Sequence, residues 1–127
     1  LFATVDDYMK LITVIACGGT TKDGYTVLKP ETIEMMKCNR LCDDALDDFV
    51  VHRLFGYGWG LCGRAHMDAT VSSSLSSVGE FGWDGAAGST LIMDTKSKIS
   101  LVYTMHVRNC GFAYGEVHPT LRDLLFK

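Results

Sequence analysis

The stretch that decides the fold is "GEFGWDGAAGSTLIMDTKSKISLVYTMHV", Gly79 to Val107. Its second half holds two apolar runs, Thr90 to Asp94 and Ile99 to Val107, joined by the turn sequence Asp94-Thr95-Lys96-Ser97-Lys98. In the second run Ile99, Leu101, Tyr103, Met105 and Val107 fall on one side, with Ser100, Thr104 and His106 on the other. That is the period of a strand. The two runs therefore predict an antiparallel hairpin, with Ile99 to Val107 central or nearly central in its sheet. The first half is stranger, because Gly79 to Thr90 sets bare backbone around a single Trp83-Asp84 pair. Glycine in a strand marks a bulge, or a place where a ligand or another backbone comes close.

Upstream, "FGYGWGL" (Phe55 to Leu61) alternates aromatic residues with glycine, which again is strand spacing with one bare face. Ser72 to Ser77 reads as a polar loop. Nearer the start, Thr4-Val5-Asp6-Asp7 has the spacing of a helix cap, although Asp stands where a full capping box has Glu or Gln. Tyr8, Leu11, Ile12 and Ile15 follow at helical spacing, and Gly18-Gly19 supplies the stop. Asp23-Gly24 is a turn signal. Pro30 suits the first position of a second helix, with Glu31 in its first turn and Ile33 and Met36 facing inward. Asn39 to Asp48 is acidic and reads as a solvated connection. At the other end, His118-Pro119 opens a last helix whose Leu121, Leu124 and Leu125 form a stripe expected to lie on the sheet.

The elements thus predict an α+β fold: an antiparallel β-sheet of three to four strands covered by N-terminal helices and a C-terminal helix. At 127 residues, with no linker and no internal repeat, residues 1–127 read as a single domain. The 47% hydrophobic and 21% charged fractions are those of a globular chain, which argues against disorder. A formal charge of −3 disfavours nucleic acid, since phosphate binding needs a basic face. No apolar run approaches the ~20 residues of a membrane span. The chain opens on Leu1-Phe2 without Met, so a preceding segment is expected.

Five cysteines (17, 38, 42, 62 and 110) make an odd number without a tight framework, which favours free thiols and a reducing, cytoplasmic setting. Cys38 and Cys42, with His52 downstream, lack the fourth ligand and spacing of a structural zinc site. Asp43, Asp44, Asp47 and Asp48 lack the central Gly and terminal Glu of a calcium loop. Neither a metal nor a cofactor is called for.

Three segments together resemble one family in order. "LFATVDDYMKLITVIACGGTTKDGYTVLKPETIEMM", "FGYGWGL" and "FGWDGAAGSTLIMDTKSKISLVYTMHV" are similar to the C-terminal portion of the serine β-lactamase-related proteins. That family comprises class C β-lactamases, penicillin-binding proteins and related esterases. The resemblance implies a β-lactamase/transpeptidase-like fold, with this chain the C-terminal part of a larger hydrolase domain. It also implies that Gly82 to Gly88 carries the third active-site motif. Where the family has Lys or His, then Thr or Ser, then Gly, this chain has Trp83, Asp84 and Gly85. By the same resemblance Trp83, Asp84 and Gly85 line the substrate, Gly85 leaves room for the acyl group, and the Ala86 N–H is an oxyanion-hole donor. Trp83 removes the family's cation and is similar to the Trp-Gly-Gly version of some esterases, which favours an uncharged or aromatic acyl group. Asp84 adds negative charge, expected to disfavour anionic ligands.

The family's chemistry also needs a Ser nucleophile with Lys three residues on, and a proton-relaying Tyr. This chain contains no Ser-x-x-Lys, Tyr-x-Asn or Tyr-x-Ser, and the Thr95-Lys96-Ser97-Lys98 turn is no substitute. Ser72 to Ser77, His66 and His106 supply the residue types of a triad, but no Gly-x-Ser-x-Gly elbow accompanies them. No catalytic residue is therefore assigned within the chain. The expected partners are a small acyl substrate in the complete protein, and either the missing N-terminal portion or a second copy. The alternative is a non-catalytic binding module that pairs a partner's strand with the Gly79–Gly88 edge.

Overall fold

The computed structural model describes residues 3–50 and 54–127. The first helix, α1 (Val5–Ala16), begins where the sequence places it: extended Thr4 accepts a hydrogen bond from the Asp7 N–H at 3.1 Å. It ends at Gly18 and Gly19, both left-handed (φ 97° and 88°). Its buried stripe is Ile12, Ile15 and Ala16 with Met9 beside it, whereas Tyr8 and Leu11 are exposed. The inner face is thus rotated from the one the sequence suggests. Both stripes have helical spacing, and only the position of the sheet chooses between them.

After the Asp23-Gly24 turn, which joins an isolated bridge between Thr20 and Thr26, α2 (Pro30–Met36) carries Pro30 in its first turn and buries Ile33 and Met36. A correction follows at α3 (Asp43–Val50), which is a helix and not a connection. Ala45, Leu46 and Phe49 recur at helical spacing, and Asp43 and Asp44 occupy the first turn, where carboxylates favour a helix. That signal was present beneath the acidic composition.

The sheet is an antiparallel meander of five strands, one beyond the range counted from sequence: β1 (Tyr57–Trp59), β2 (Arg64–His66), β3 (Phe81–Asp84), β4 (Thr90–Asp94) and β5 (Ile99–Tyr103). β2 escaped detection because it is three residues long and buries Arg and His. Between β2 and β3 lies a short helical turn, α4 (Ala69–Ser72). The β4–β5 hairpin holds as expected, with Thr90 opposite Tyr103 and Asp94 opposite Ile99. Its turn is closed by Asp94, whose carboxylate accepts from the Lys96 and Ser97 N–H groups at 2.7 and 3.3 Å. However, β5 stops at Tyr103 and is an edge strand, not a central one.

One face of the sheet packs Ala65, Phe81 and Met93 against Ile12, Ile15, Ile33 and Met36, with Leu91 and Val102 alongside. Ser100 also points to α1, where it meets the Thr13 hydroxyl at 3.0 Å. The opposite face is the more polar one, with buried Arg64, Thr90 and Asp94 beside Ile92 and Leu101, and it lies under the C-terminal segment, a π-helical turn (Ala113–Val117) running into α5 (His118–Leu125). Here too the sequence expectation is corrected. Leu124 and Leu125 are exposed, and α5 is anchored through buried His118 and through Arg122, which donates to the Tyr57 hydroxyl at 2.8 Å.

Two glycines of Phe55 to Leu61, Gly58 and Gly60, have a packing cause. The segment after α2 crosses directly over them, so that a Cβ on Gly58 would lie 2.6 Å from Asn39 Oδ1, and one on Gly60 2.0 Å from the Met36 carbonyl oxygen. Asn39 then accepts from the Trp59 N–H at 3.2 Å.

Candidate functional site

The residues singled out from sequence sit at the end of β3 and in the loop that leads to β4. Trp83 pairs with Leu91 and Asp84 with Thr90, so both are still in the sheet. The loop is closed by Gly85 N–H to Ser89 C=O at 2.7 Å and Gly88 N–H to Gly85 C=O at 2.9 Å. Trp83, Asp84 and Gly85 lie between two cavities. One, of about 500 Å³, is bounded by the start of α1 (Thr4, Tyr8), by Ser89 and by Tyr103. The other, of about 850 Å³, also takes in Ala86, Ser72, Tyr114 and Arg122.

Trp83 is half exposed, its ring edge-on to Trp59 at 4.5 Å and stacked at 6.5 Å from Phe49. Ala86 is exposed, and among the described residues its N–H has no hydrogen-bond partner. Gly85 is constrained from within, since a Cβ there would lie 2.2 Å from Ser89 Oγ.

Asp84 has partners that no sequence spacing suggests. Its carboxylate turns inward, 3.2 Å from the Arg64 guanidinium and 3.2 Å from His118 Nδ1. The Arg64 cation thus offsets part of its charge, while Asp84 still lines both cavities. Arg64 also faces Glu80 at 3.7 Å, and both side chains are buried. Burial alone would lower the Arg64 pKa, but the Glu80 and Asp84 carboxylates outweigh it and hold the guanidinium charged above its ordinary range. Beside them Tyr57 stacks on His66 at 4.9 Å; burial, and then the Glu80 charge, pushes its phenol up.

Sequence reading missed Arg64, Glu80, Tyr114 and His118. Glu80 and Asp84 are an even number of positions apart near one strand, and Arg64 has the opposite charge. That pattern becomes informative only once the β2–β3 register sets Arg64 opposite Gly82.

The structure does bring together one Ser-His pair, with His66 Nε2 2.7 Å from Ser72 Oγ. A carbonyl can only accept, so the contact of His66 Nδ1 with Ser77 C=O at 3.1 Å assigns the proton to Nδ1 and leaves Nε2 to accept from Ser72. The imidazole is fully buried, and Ser72 Oγ also receives the Ser74 N–H at 3.2 Å. That second bond bridges Ser73, which is left-handed at φ 56°. The pair fastens the loop after α4. His106 is exposed and far along the chain from this cluster.

Cys38 and Cys42 are free and exposed, and His52 lies outside the described residues. Among the described residues no group of three or more His, Cys, Asp or Glu side chains is placed to hold a metal ion, and no helix is long and apolar enough to cross a membrane. The Gly-rich stretch, finally, is not an open edge throughout. Phe81 and Gly82 are paired with β2 on one side and β4 on the other, which closes that part of the stretch to a partner's strand, while Trp83 and Asp84 pair with β4 alone.

No family model matches the chain. Two proteins of Mycobacterium tuberculosis are each 32% identical to it over 108 residues: the uncharacterised protein MT1414 of strain CDC 1551 / Oshkosh, and protein Rv1367c of strain ATCC 25618 / H37Rv. The match takes in 81% of this chain and 27% of each relative, so the chain spans under a third of their length. Among solved structures, EstCE1, a hydrolase with promiscuous acyltransferase activity, is similar with a TM-score of 0.77 and 21% identity, over 98% of this chain and 30% of that one. The chain thus has a hydrolase-like α+β fold, that of part of such an enzyme.

Proposed function

We propose that this chain is the C-terminal part of a β-lactamase-related serine hydrolase, one domain unit over residues 1–127 that forms one wall of an acyl-hydrolysing active site. In this reading Trp83, Asp84 and Gly85 line the substrate and the Ala86 N–H donates to the developing oxyanion. The nucleophilic Ser with its Lys, and the proton-relaying Tyr, come from the rest of the protein. The observation that carries the reading is exposed Ala86, whose N–H has no partner among the described residues, beside a strand end that lines two cavities. The hydrolase-like fold supports it. With Trp83 where the family keeps a cation, a small uncharged ester suits the wall better than a β-lactam.

The test is turnover of a short-chain p-nitrophenyl ester by the full-length protein. A bulky group at Gly85 would first strike Ser89 Oγ, so the packing must be relieved before access is probed. Ser89→Ala alone serves as the reference, because a Gly85 Cβ would still lie 3.6 Å from Ser89 Cβ. Adding Gly85→Ala to it should lower kcat/KM by about 10²-fold through misplacement of the acyl group. Equal activity in the two variants would sink the assignment of this wall.

A further inference from the structure

Resting on that reading, we infer that Tyr114 and His118 are positioning residues that aim the Ala86 N–H at the reacting carbonyl. The geometry of a peptide unit makes the connection. The Gly85 C=O and the Ala86 N–H belong to one planar trans amide, so whatever holds the oxygen sets the direction of the N–H. The Gly85 oxygen accepts two hydrogen bonds, from the Gly88 N–H at 2.9 Å and from the Tyr114 hydroxyl at 3.0 Å. The first lies within the loop and moves with it. The second ties the amide to the C-terminal segment, outside the loop.

The far end of the loop is tied in the same way. His118 Nε2 donates to the Gly88 C=O at 2.8 Å, at a residue held left-handed (φ 84°). Between these ends the Ala87 C=O accepts from the Val107 N–H at 3.1 Å. The carbonyls of Gly85, Ala87 and Gly88 are therefore all held by groups from elsewhere in the chain, while the Ala86 N–H points away without a partner. A donor whose amide oxygen already accepts hydrogen bonds is also polarised, which strengthens it toward an oxyanion.

Tyr114 and His118 are four residues apart and meet edge-to-face at 5.4 Å. Tyr114 lies in the π-helical turn and His118 opens α5, and such local widenings of a helix recur at functional sites. His118 Nδ1 also lies 3.2 Å from Asp84 Oδ1, an ion pair only when the ring is protonated and without hydrogen-bond geometry, so the ring holds the loop through Nε2.

The experiment is Tyr114→Phe in the full-length protein, a change that removes one hydroxyl and keeps the ring. The expected result is a fall in kcat of about tenfold with KM little changed, because the N–H is used in the transition state and not in binding. In the 15N spectrum of the same variant, the Ala86 amide should shift while amides of α1 stay in place. A second pair probes the other anchor: His118→Gln, which can still donate to Gly88, should keep more of kcat than His118→Phe. Unchanged kcat in Tyr114→Phe, or a rise in KM alone, would overturn the inference, the latter by making Tyr114 a substrate contact. A full-length protein inert toward esters, or one indifferent to the Gly85→Ala test, would instead bring down the proposed function, and the positioning role with it.

Discussion

The Arg64 guanidinium and the Asp84 carboxylate meet at 3.2 Å across the middle of the sheet, joining β2 to β3 on its polar face. With Glu80 at 3.7 Å on the other side, the guanidinium serves two carboxylates at once. Removing one member of a buried ion group costs far more than the group contributes, because a charge is left without a partner. Arg64→Met should destabilise the chain by about 3–5 kcal/mol, leaving fully buried Glu80 uncompensated. Adding Glu80→Gln should recover part of that loss. Urea unfolding of the two variants is the measurement, and a loss under ~1 kcal/mol for Arg64→Met would refute the account.

Tyr57 gives a prediction with a sign. Its phenol is pushed up by burial and by the Glu80 charge, so the folded state favours the neutral form. A pKa raised on folding contributes stability that is complete below the unfolded value, about 10, and is lost as pH rises through the folded value. Wild type should therefore lose stability relative to Tyr57→Phe as pH climbs above ~10. Below that pH the Phe variant should be the weaker by about 1 kcal/mol, having lost the Arg122 hydrogen bond. A pH-independent difference between the two would exclude this role.

Two glycines should respond oppositely to the same methyl group. Gly60→Ala sets a Cβ 2.0 Å from the Met36 carbonyl oxygen, which is backbone and cannot step aside. The cost should be about 1–3 kcal/mol of overpacking. Gly111 has nothing within 4 Å of its would-be Cβ, so Gly111→Ala should be neutral or raise stability by up to about 1 kcal/mol. Thermal midpoints of both variants check the pair. Equal effects would mean that the crossing of α2's exit over β1 is not as close as described.

These 127 residues alone should not hydrolyse activated esters or β-lactams above a denatured control. An oxyanion donor accelerates acyl transfer only when an activated nucleophile stands ~3 Å from the reacting carbon. Ser72 donates to His66 as a nucleophile would, but His66 Nδ1 faces the Ser77 carbonyl and no carboxylate, and the Ser72 oxygen already accepts the Ser74 N–H. Burst-free, background-level release from a p-nitrophenyl ester is expected. Labelling of Ser72 by a fluorophosphonate would contradict it.

The sequence by itself determined the elements whose signals are local. Thr4, the Gly18-Gly19 stop, Pro30 and the Asp94 turn act through backbone geometry within a few residues, and each lies where it was read. The β4–β5 hairpin followed from strand period and turn chemistry, and with it the α+β class. Other features depended on what packs across space. That α1 buries Ile12, Ile15 and Ala16 but leaves Tyr8 and Leu11 of the expected stripe exposed is settled by where the sheet lies. That α5 is tied down by His118 and Arg122, while Leu124 and Leu125 stay exposed, reflects a sheet face on which Arg64, Glu80 and Asp84 converge. No spacing rule brings those three together, since they meet only through strand register. The same holds for Gly85: its motif was legible, but the pairing of its oxygen with Tyr114, 29 residues on, is a product of tertiary packing alone.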